Sequence, residues 1–450
     1  MQIREHGQMT YDELVAVRRD LHRHAEPAFL EIRTSTIVVT WLRALGIEPR
    51  TGRDAMRTGA VSDYPSVDQR DRFAARAVAA GADAALAEFA AAHGTAVVCE
   101  IEGDLPGPTW ALRFDMDALP LTESDEPAHV PAAAGFRCAD GFMHACGHDG
   151  HTAIGLALAE RLVADRGFAG RVRLLFQPAE EGGRGAASML AAGAVDGVDR
   201  FVALHLGLDL PTGVVAGGVE GMLATTKLRA TFTGAAAHAA LSPQEGRNAL
   251  LGAASAALAV MALPRYSTAD TRINVGTLRA GDNVNIVPSW AEMTLEARST
   301  DSAVCEDLTE RIETRLHGAA AMHDLRLELH RTGGSTTMRC DRPLVDAVGR
   351  VAAELLGDSA APALWRMNGS DDASLFARAV QQNGGMATYA VVGADHRAPH
   401  HHPSFDIDES AMAVALEVLD ELIRIPHPGD SHRLGSPPRG SRADLSTEPG

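Results

Sequence analysis

The sequence predicts a mixed α/β protein: a larger domain on a mixed sheet, interrupted by a smaller ferredoxin-like βαββαβ domain. Three observations predict it. Strand-like and helix-like patterns alternate from about residue 95 onward, as in sheets covered by helices. Carboxylates and an imidazole recur where strands end, at Asp115 and Asp117, at Glu180 and Glu181, and at His205; α/β folds place their sites there. From Gly218 to residue 334 the pattern is strand, helix, two strands, helix, strand. That is a split βαβ unit, and because patterns of the first kind then resume, it is an insertion.

The N-terminal part opens with two helices. Tyr11 to His24 carries Leu14, Val17, Arg18 and Leu21 at helical spacing, and Ala25-Glu26-Pro27 ends it. Glu31 to Leu45 is the second, stopped by Gly46. Residues 50–66 are polar and irregular, and Asp68 to Ala92 reads as one long, partly exposed helix. Residues 50–92 together read as an insertion between core elements. Thr95 to Ile101 and Thr109 to Phe114 are strands, the second running into Asp115-Met116-Asp117. A helix over about Asp149 to Ala164 and strands at Arg171 to Gln177 and Phe201 to Leu204 complete this part.

In the insertion, Thr225 to Thr233, Arg272 to Arg279, Glu292 to Ser299 and Leu325 to His330 are strands. Gly246 to Leu263 and Asp301 to Ala321 are helices. Afterwards come a helix at Pro343 to Leu356, another beginning at Gly369-Ser370-Asp371-Asp372, a strand at Met386 to Val392 and a helix at Ser410 to Ile423. The expected division is a catalytic domain over 1–217 and 335–425, an inserted domain over 218–334, and a disordered Pro-, Gly-, Ser- and Arg-rich tail over 426–450.

Composition limits the partners. Hydrophobic residues make up 46% and charged residues 22% of the 450, as in ordinary globular proteins. The net charge of −18 argues against nucleic acid and anionic membranes, which need clustered Lys and Arg. Five scattered cysteines (Cys99, Cys138, Cys146, Cys305, Cys340) do not make a disulfide framework. The N-terminus has no apolar signal core, and no apolar run approaches the ~18 residues of a membrane span. A soluble, cytoplasmic protein is expected.

The densest chemistry lies in Met143 to Thr152, with three His, one Cys and one Asp in ten residues. Cys146 and His148 are two apart, so in an extended segment they point to one side, and such donors suit a divalent transition metal. Glu180 and Glu181 are adjacent, so they point differently: one can bind a metal while the other faces the reacting atoms. Gly182, Gly183 and Gly185 are not a phosphate loop, because no Gly-Lys-Ser/Thr follows. A last cluster is His400-His401-His402-Pro403.

These stretches occur in a telling order: Arg113-Phe-Asp-Met-Asp-Ala-Leu, Met143-His-Ala-Cys-Gly-His-Asp-Gly-His, Phe176-Gln-Pro-Ala-Glu-Glu-Gly, Phe232-Thr-Gly-Ala-Ala-Ala-His, Gly369-Ser-Asp-Asp, and His401-His-Pro-Ser-Phe-Asp. Together they resemble the M20-type amidohydrolases, the dinuclear metallopeptidase and aminoacylase family. The likeness covers residues 10–424. It is strongest to the branch of N-acyl-amino-acid, hippurate and auxin-conjugate hydrolases, and within it to the aminobenzoyl-glutamate hydrolases.

The resemblance implies two divalent ions, manganese or zinc. Cys146 is then the bridging thiolate, with His148, Glu181, His205 and His401 completing the ligands, and His400 and His402 remaining as alternatives to His401. Glu180 is the implied general base, and Asp117 orients a ligand from behind, with His151 and Asp149 in weaker supporting roles. Asp115 is not assigned as a ligand. His238 is the implied donor to the scissile carbonyl, reaching from a partner subunit. Asn285 and Arg298 would bind the α-carboxylate, and Lys227, Arg229 and Arg279 are the candidates for a second one.

The implied reaction is hydrolysis of an N-acyl or N-aroyl amino acid, with p-aminobenzoyl-glutamate the sharpest substrate. A broader N-acyl-amino-acid or dipeptide hydrolase and a non-catalytic metal-binding subunit are the rivals. The implied partner is a second copy or a homologous B-type subunit, met through the inserted domain.

Overall fold

The computed structural model describes residues 8–357 and 362–426. The tail expected at 426–450 lies outside them except for its first residue. The strands are β1 (Arg50–Thr51), β2 (Val97–Glu102), β3 (Leu105–Asp115), β4 (Ala169–Gln177), β5 (Arg200–Leu206), β6 (Val215–Ala216), β7 (Gly218–Glu220), β8 (Ala224–Thr233), β9 (Thr271–Ala280), β10 (Trp290–Ser299), β11 (Arg326–Ser335), β12 (Leu364–Arg366) and β13 (Met386–Val392).

The large sheet has the order β1-β2-β4-β3-β5-β13-β6. Its middle strands β4, β3, β5 and β13 are parallel, and β1, β2 and β6 add antiparallel edges. It is therefore a mixed sheet. Every residue of β5 is buried, as expected of a parallel strand covered on both faces. One face packs on helices Tyr11–Arg23, Ile32–Ala44, His148–Ala164, Arg342–Leu356 and Ser410–Arg424. The other packs on helices Gly185–Leu190 and Ala373–Gln382. The parallel order brings the C-terminal ends of β4, β3, β5 and β13 side by side. The loops leaving β4, β3 and β13 carry Glu180, Asp117 and His400, and His205 is the next-to-last residue of β5 itself.

Helix His148–Ala164 is buried except for Arg161, Val163 and Ala164. It lies so close to the sheet that a Cβ on Gly155 would sit 2.8 Å from both the Phe114 and Phe176 rings.

The small sheet has the order β11-β8-β10-β9, all antiparallel. With helices Ala249–Met261 and Ser302–Met322 on one face, it forms the expected βαββαβ unit. Leu228, Ala230 and Phe232 of β8 and Ala291, Met293, Leu295 and Ala297 of β10 face those helices. The alternate residues, Lys227, Arg229, Glu296 and Arg298 among them, face the other way.

Two local expectations change, and one pairing is new. The single helix over Asp68 to Ala92 is two, Val67–Ala79 and Ala84–His93. Gly81 at φ +86° turns the chain between them, and Asp83 caps the second through the Leu86 N–H at 2.9 Å. The strand read to His330 runs on to Ser335. Its glycines are not breakers here, because a Cβ on Gly333 would lie 2.1 Å from the Gly182 carbonyl. Finally, β7 pairs in parallel with β12, a short pairing that no sequence pattern announces.

Candidate metal centre and substrate cleft

The Pro178-to-Gly183 loop is held from below. Ala179 is buried at φ +56°, a left-handed conformation that costs energy for a residue with a Cβ. Its N–H donates to Glu31 Oε1 at 2.9 Å. Glu31 also accepts from the Phe29 N–H and the Thr95 hydroxyl; burial, and then Asp117, push its carboxyl up to about 8. The next two N–H groups, of Glu180 and Glu181, donate to the two oxygens of Asp117 at 2.9 and 3.2 Å. Asp117 also accepts, through its backbone carbonyl, a hydrogen bond from His148 Nδ1 at 2.8 Å. One residue thus sets the positions of His148, Glu180 and Glu181.

Around this loop stand four groups of donor atoms, each within 4.8 Å of one another: Cys146 with His148 and Glu181; Cys146 with His205 and His400; Asp115 with His148 and His151; and Glu180 with Asp371 and Asp372. Cys146 belongs to two of them. His205 Nε2 is 3.5 Å from its sulfur, and the other ring nitrogen is tied to the Leu206 carbonyl at 2.7 Å. Among the described residues, three buried atoms of this site have no hydrogen-bond partner: His148 Nε2, Glu181 Oε1 and His400 Nδ1. A buried polar atom without a partner is costly. A thiol, imidazoles and a carboxylate with such free atoms form a donor set that fits divalent ions.

The electrostatics follow from burial and crowding. Burial, and then Glu181, hold the Cys146 thiol well above the usual range. Burial lowers His148, but the charge of Asp115, then the nearby Asp117 and Cys146, outweigh it and raise its pKa. Burial and the neighbouring His151 hold His205 down. Glu180 is raised well above an ordinary carboxyl by burial, then by Asp371 and Glu181. A carboxyl with raised proton affinity suits proton uptake near neutrality.

Of the His triplet, His401 places Nε2 3.3 Å from Glu181 Oε2, with its side chain 54% exposed. Its φ is +65°, and its N–H holds the Ala145 carbonyl at 2.8 Å. His400 lies deeper: its Nε2 accepts the Leu208 N–H at 3.1 Å, and burial, then His396, lower its pKa to about 3. His402 turns back to accept the Ser404 N–H.

Part of this arrangement goes beyond the sequence motifs. Arg113, fully buried, grips Asp115 Oδ2 at 2.5 Å, Asp371 Oδ1 at 2.8 Å and Gln177 Oε1 at 2.7 Å. Tyr389 donates to Asp371 and Gln177 to Asp372, both at 2.7 Å. His151 Nδ1 is 2.5 Å from Asp115 Oδ1. Both Asp115 oxygens are therefore engaged by protein.

A cavity of about 530 Å³ opens over these residues, between the large sheet and the small one. Cys146, Glu180, Glu181, His205, His400, His401, Lys227 and Arg298 all line it. His238 and Asn285 do not. They sit together on an exposed edge of the small unit, the Ala239 N–H bonding the Asn285 carbonyl at 3.0 Å. Arg229 pairs with Asp63, and Arg279 is exposed on β9.

A divalent-ion donor set beside a carboxylate of raised proton affinity, at the mouth of such a cleft, defines a metal-dependent hydrolase. Comparison with known proteins gives the family. The profile of peptidase family M20/M25/M40 matches residues 111–425, and the chain belongs to that family as a metal-dependent amidohydrolase. It is 41% identical to indole-3-acetyl-aspartic acid hydrolase of Enterobacter agglomerans, over 93% of this chain and 96% of that protein. It is 40% identical to the A-type subunit of p-aminobenzoyl-glutamate hydrolase from Escherichia coli K12, over 89% and 93%. Among solved structures, the aminobenzoyl-glutamate utilization protein of Klebsiella pneumoniae has a TM-score of 0.79 at 37% identity, covering 92% of this chain and 95% of that one. A dinuclear metal binding peptidase of the M20 family from Bacillus subtilis has a TM-score of 0.63 at 25% identity, with 92% and 97% covered. Among the described residues no helix is long and apolar enough to cross a membrane.

Proposed function

We propose that the chain hydrolyses the amide between an acyl or aroyl group and an acidic amino acid, with p-aminobenzoyl-glutamate as the substrate, giving p-aminobenzoate and glutamate. One observation carries this reading. One cavity is lined both by a carboxylate of raised proton affinity, Glu180, and by two cations, Lys227 and Arg298. The relatives from Enterobacter agglomerans and Escherichia coli act, by name, on an aspartate and a glutamate conjugate.

In this reading Cys146, His148, Glu181, His205 and His401 would hold two divalent ions. Thiolate and imidazole favour zinc, and the carboxylates admit manganese. When bound, such ions polarise the amide carbonyl and make water a better nucleophile. Glu180 takes the proton of the attacking water and delivers it to the leaving amine. Asp117 keeps Glu180 and Glu181 in register with His148 throughout. Arg298 holds the α-carboxylate through its planar fork, with Asn285 as a second donor.

His238 is the donor to the carbonyl oxygen. Because it and Asn285 stand outside their own chain's cavity, they act in the cleft of a partner, either a second copy or a B-type subunit, met through the small domain. In this assignment residues 1–217 and 335–425 form the catalytic domain and 218–334 the lid. The five cysteines are free thiols, which suits a reducing cytoplasm.

The test is a screen of N-acyl glutamates, aspartates and neutral N-acyl amino acids on metal-reconstituted protein, alone and with a B-type partner, using Glu180→Ala as control. Release of p-aminobenzoate that disappears in the control is the expected result. A wider acyl-amino-acid range would give the broader hydrolase instead. No amide cleavage in either state, with two ions bound, would overturn the enzyme reading for this site.

A further inference from the structure

We infer that Lys227 reads the side-chain carboxylate of the amino acid, and so sets the cleft's preference for aspartate- or glutamate-type leaving groups. The inference rests on the substrate reading above and names the residue that does the selecting.

Lys227 is the only lysine in the 450-residue chain; the other 40 of its 41 Lys and Arg residues are Arg. A sequence that uses arginine at every other cationic position has an ammonium at this one. The position is in the catalytic cleft: among the described residues, Lys227 and Arg298 are the only Lys or Arg side chains lining the cavity that holds Glu180 and Glu181. Among the described residues, the other arginines of the small sheet do not line this cavity. Arg229 pairs with Asp63, Arg272 with Asp270 at 2.8 Å, and Arg279 lies opposite Glu292, toward the far end of the sheet.

The register gives the geometry. Lys227 lies opposite Glu296, and Arg298 opposite Thr225. Lys227 and Arg298 are therefore diagonal neighbours on one face, on the order of 7–8 Å apart and somewhat closer between Cβ atoms. That spacing suits the two carboxylates of a short dicarboxylic amino acid. Arg298 Nε and Nη2 hold the two oxygens of Glu296, each at 3.0 Å, so taking a substrate α-carboxylate exchanges one carboxylate partner for another.

Lys227 Nζ donates one hydrogen bond, to the Glu181 carbonyl at 3.1 Å. An ammonium has two further donors, and a compact point charge with rotatable donors suits a carboxylate whose reach differs between aspartate and glutamate. Electrostatics favour such a charge. Glu180, Glu181, Asp371 and Asp372 also line the cavity; Arg113 offsets Asp371, the proposed ions would offset Glu181, and Lys227 adds a cation for a second substrate carboxylate.

The purely structural alternative is that Lys227 merely ties β8 to the Glu181 loop. Its loss would then affect every substrate alike. The test uses the full metal-reconstituted chain and compares kcat/KM for an N-aroyl glutamate and the matching N-aroyl glutamine, equal in shape and different in charge. Lys227→Met should lower the Glu-over-Gln ratio by about 10- to 100-fold, chiefly through KM. Lys227→Arg should restore part of it, and Arg279→Ala should leave it unaltered.

A second readout needs no turnover. As the sole side-chain amine, Lys227 can be followed by amine-selective acylation and mass spectrometry of its peptide. L-Glutamate should slow its modification and L-glutamine should not. A Lys227→Met variant that loses both substrates equally, or labelling that both amino acids slow alike or neither slows, overturns the inference. A wild-type chain that cleaves neither substrate while glutamate alone protects Lys227 would leave the inference standing and count against the proposed reaction.

Discussion

Glu180 and Glu181 are consecutive, yet they meet different surroundings. Glu181 Oε2 faces His401 and its other oxygen is free, whereas Glu180 faces His148 from one side and Asp371 and Asp372 from the other. Replacing Glu180 with Gln keeps the shape and removes the proton acceptor. The expected result is a fall in kcat of about 10²- to 10⁴-fold with metal content unchanged by elemental analysis; parallel loss of metal would make Glu180 a ligand instead. The His triplet allows a similar comparison. His401→Ala should reduce bound metal from two ions toward one, and His400→Ala should keep two; the reverse result would move the ligand to His400. The order of the motifs was enough to pick out Cys146, Glu180 and His205 as partners in one site. It did not reveal the grip of Arg113 on Asp371, because residues 258 positions apart meet there only once β3 and helix Ala373–Gln382 pack on the same sheet. Nor did it reveal Glu31, whose bonds to Thr95 and Ala179 depend on the helix order around the loop.

At the scale of elements, helix His148–Ala164 does two jobs. Its first residue, His148, places an imidazole in the site, and its body packs on β3 and β4. Gly155 makes the close approach possible. Gly155→Ala gains helix propensity of about 1 kcal/mol, but the new Cβ would lie 2.8 Å from two buried aromatic rings, and overpacking of this kind costs about 1–3 kcal/mol. Overpacking outweighs propensity: the variant should unfold at lower urea, and Gly155→Val at lower urea still. A variant as stable as wild type would show that the rings can move aside. This helix was legible in the sequence from its apolar run, and so were the βαββαβ order and the strands of the large sheet, whose β-rich runs end in turn residues. What stayed hidden depends on tertiary context. Gly333 and Gly334 look like breakers, yet the Gly334 N–H bonds the Gly183 carbonyl at 2.9 Å, so β11 continues across the glycines to the catalytic loop. The break at Gly81 was hidden for the opposite reason: alanine-rich flanks kept a helical pattern on both sides of a turn.

On the scale of the whole molecule, a buried charge network and an exposed edge make separate claims. Near the N-terminus, buried Arg18 joins Asp149 of the metal-site helix to Asp406 and Glu409 near the C-terminal helix, while His22 bridges Asp149 at 2.8 Å and Glu123 at 3.0 Å. Burial lowers His22, but those two bonds outweigh it and raise its pKa to about 9. An unfolded histidine titrates near ~6.5, so this contribution to stability is complete below about 6.5 and is lost as pH rises to about 9. It is on the order of 3 kcal/mol. The urea midpoint should fall over that interval, and His22→Gln should flatten the fall; an equal slope in the variant would place the titration elsewhere. The second claim concerns the pair that stands outside its own cleft. His238 and Asn285 share an exposed edge near Leu241 at 81% and Val284 at 97% exposure, as a surface covered by another chain would be. If His238 acts in the partner's cleft, a chain with Glu180→Gln and a chain with His238→Ala are each inactive as homodimers for different reasons. In the mixed dimer one cleft combines an intact Glu180 with an intact His238 from across the interface. Random exchange of subunits puts half the chains into such dimers, so mixing the two dead variants should restore roughly a quarter of wild-type activity. Activity that stays at the level of the parent variants after exchange, with mixed dimers verified by native mass spectrometry, would mean that His238 serves its own chain or none.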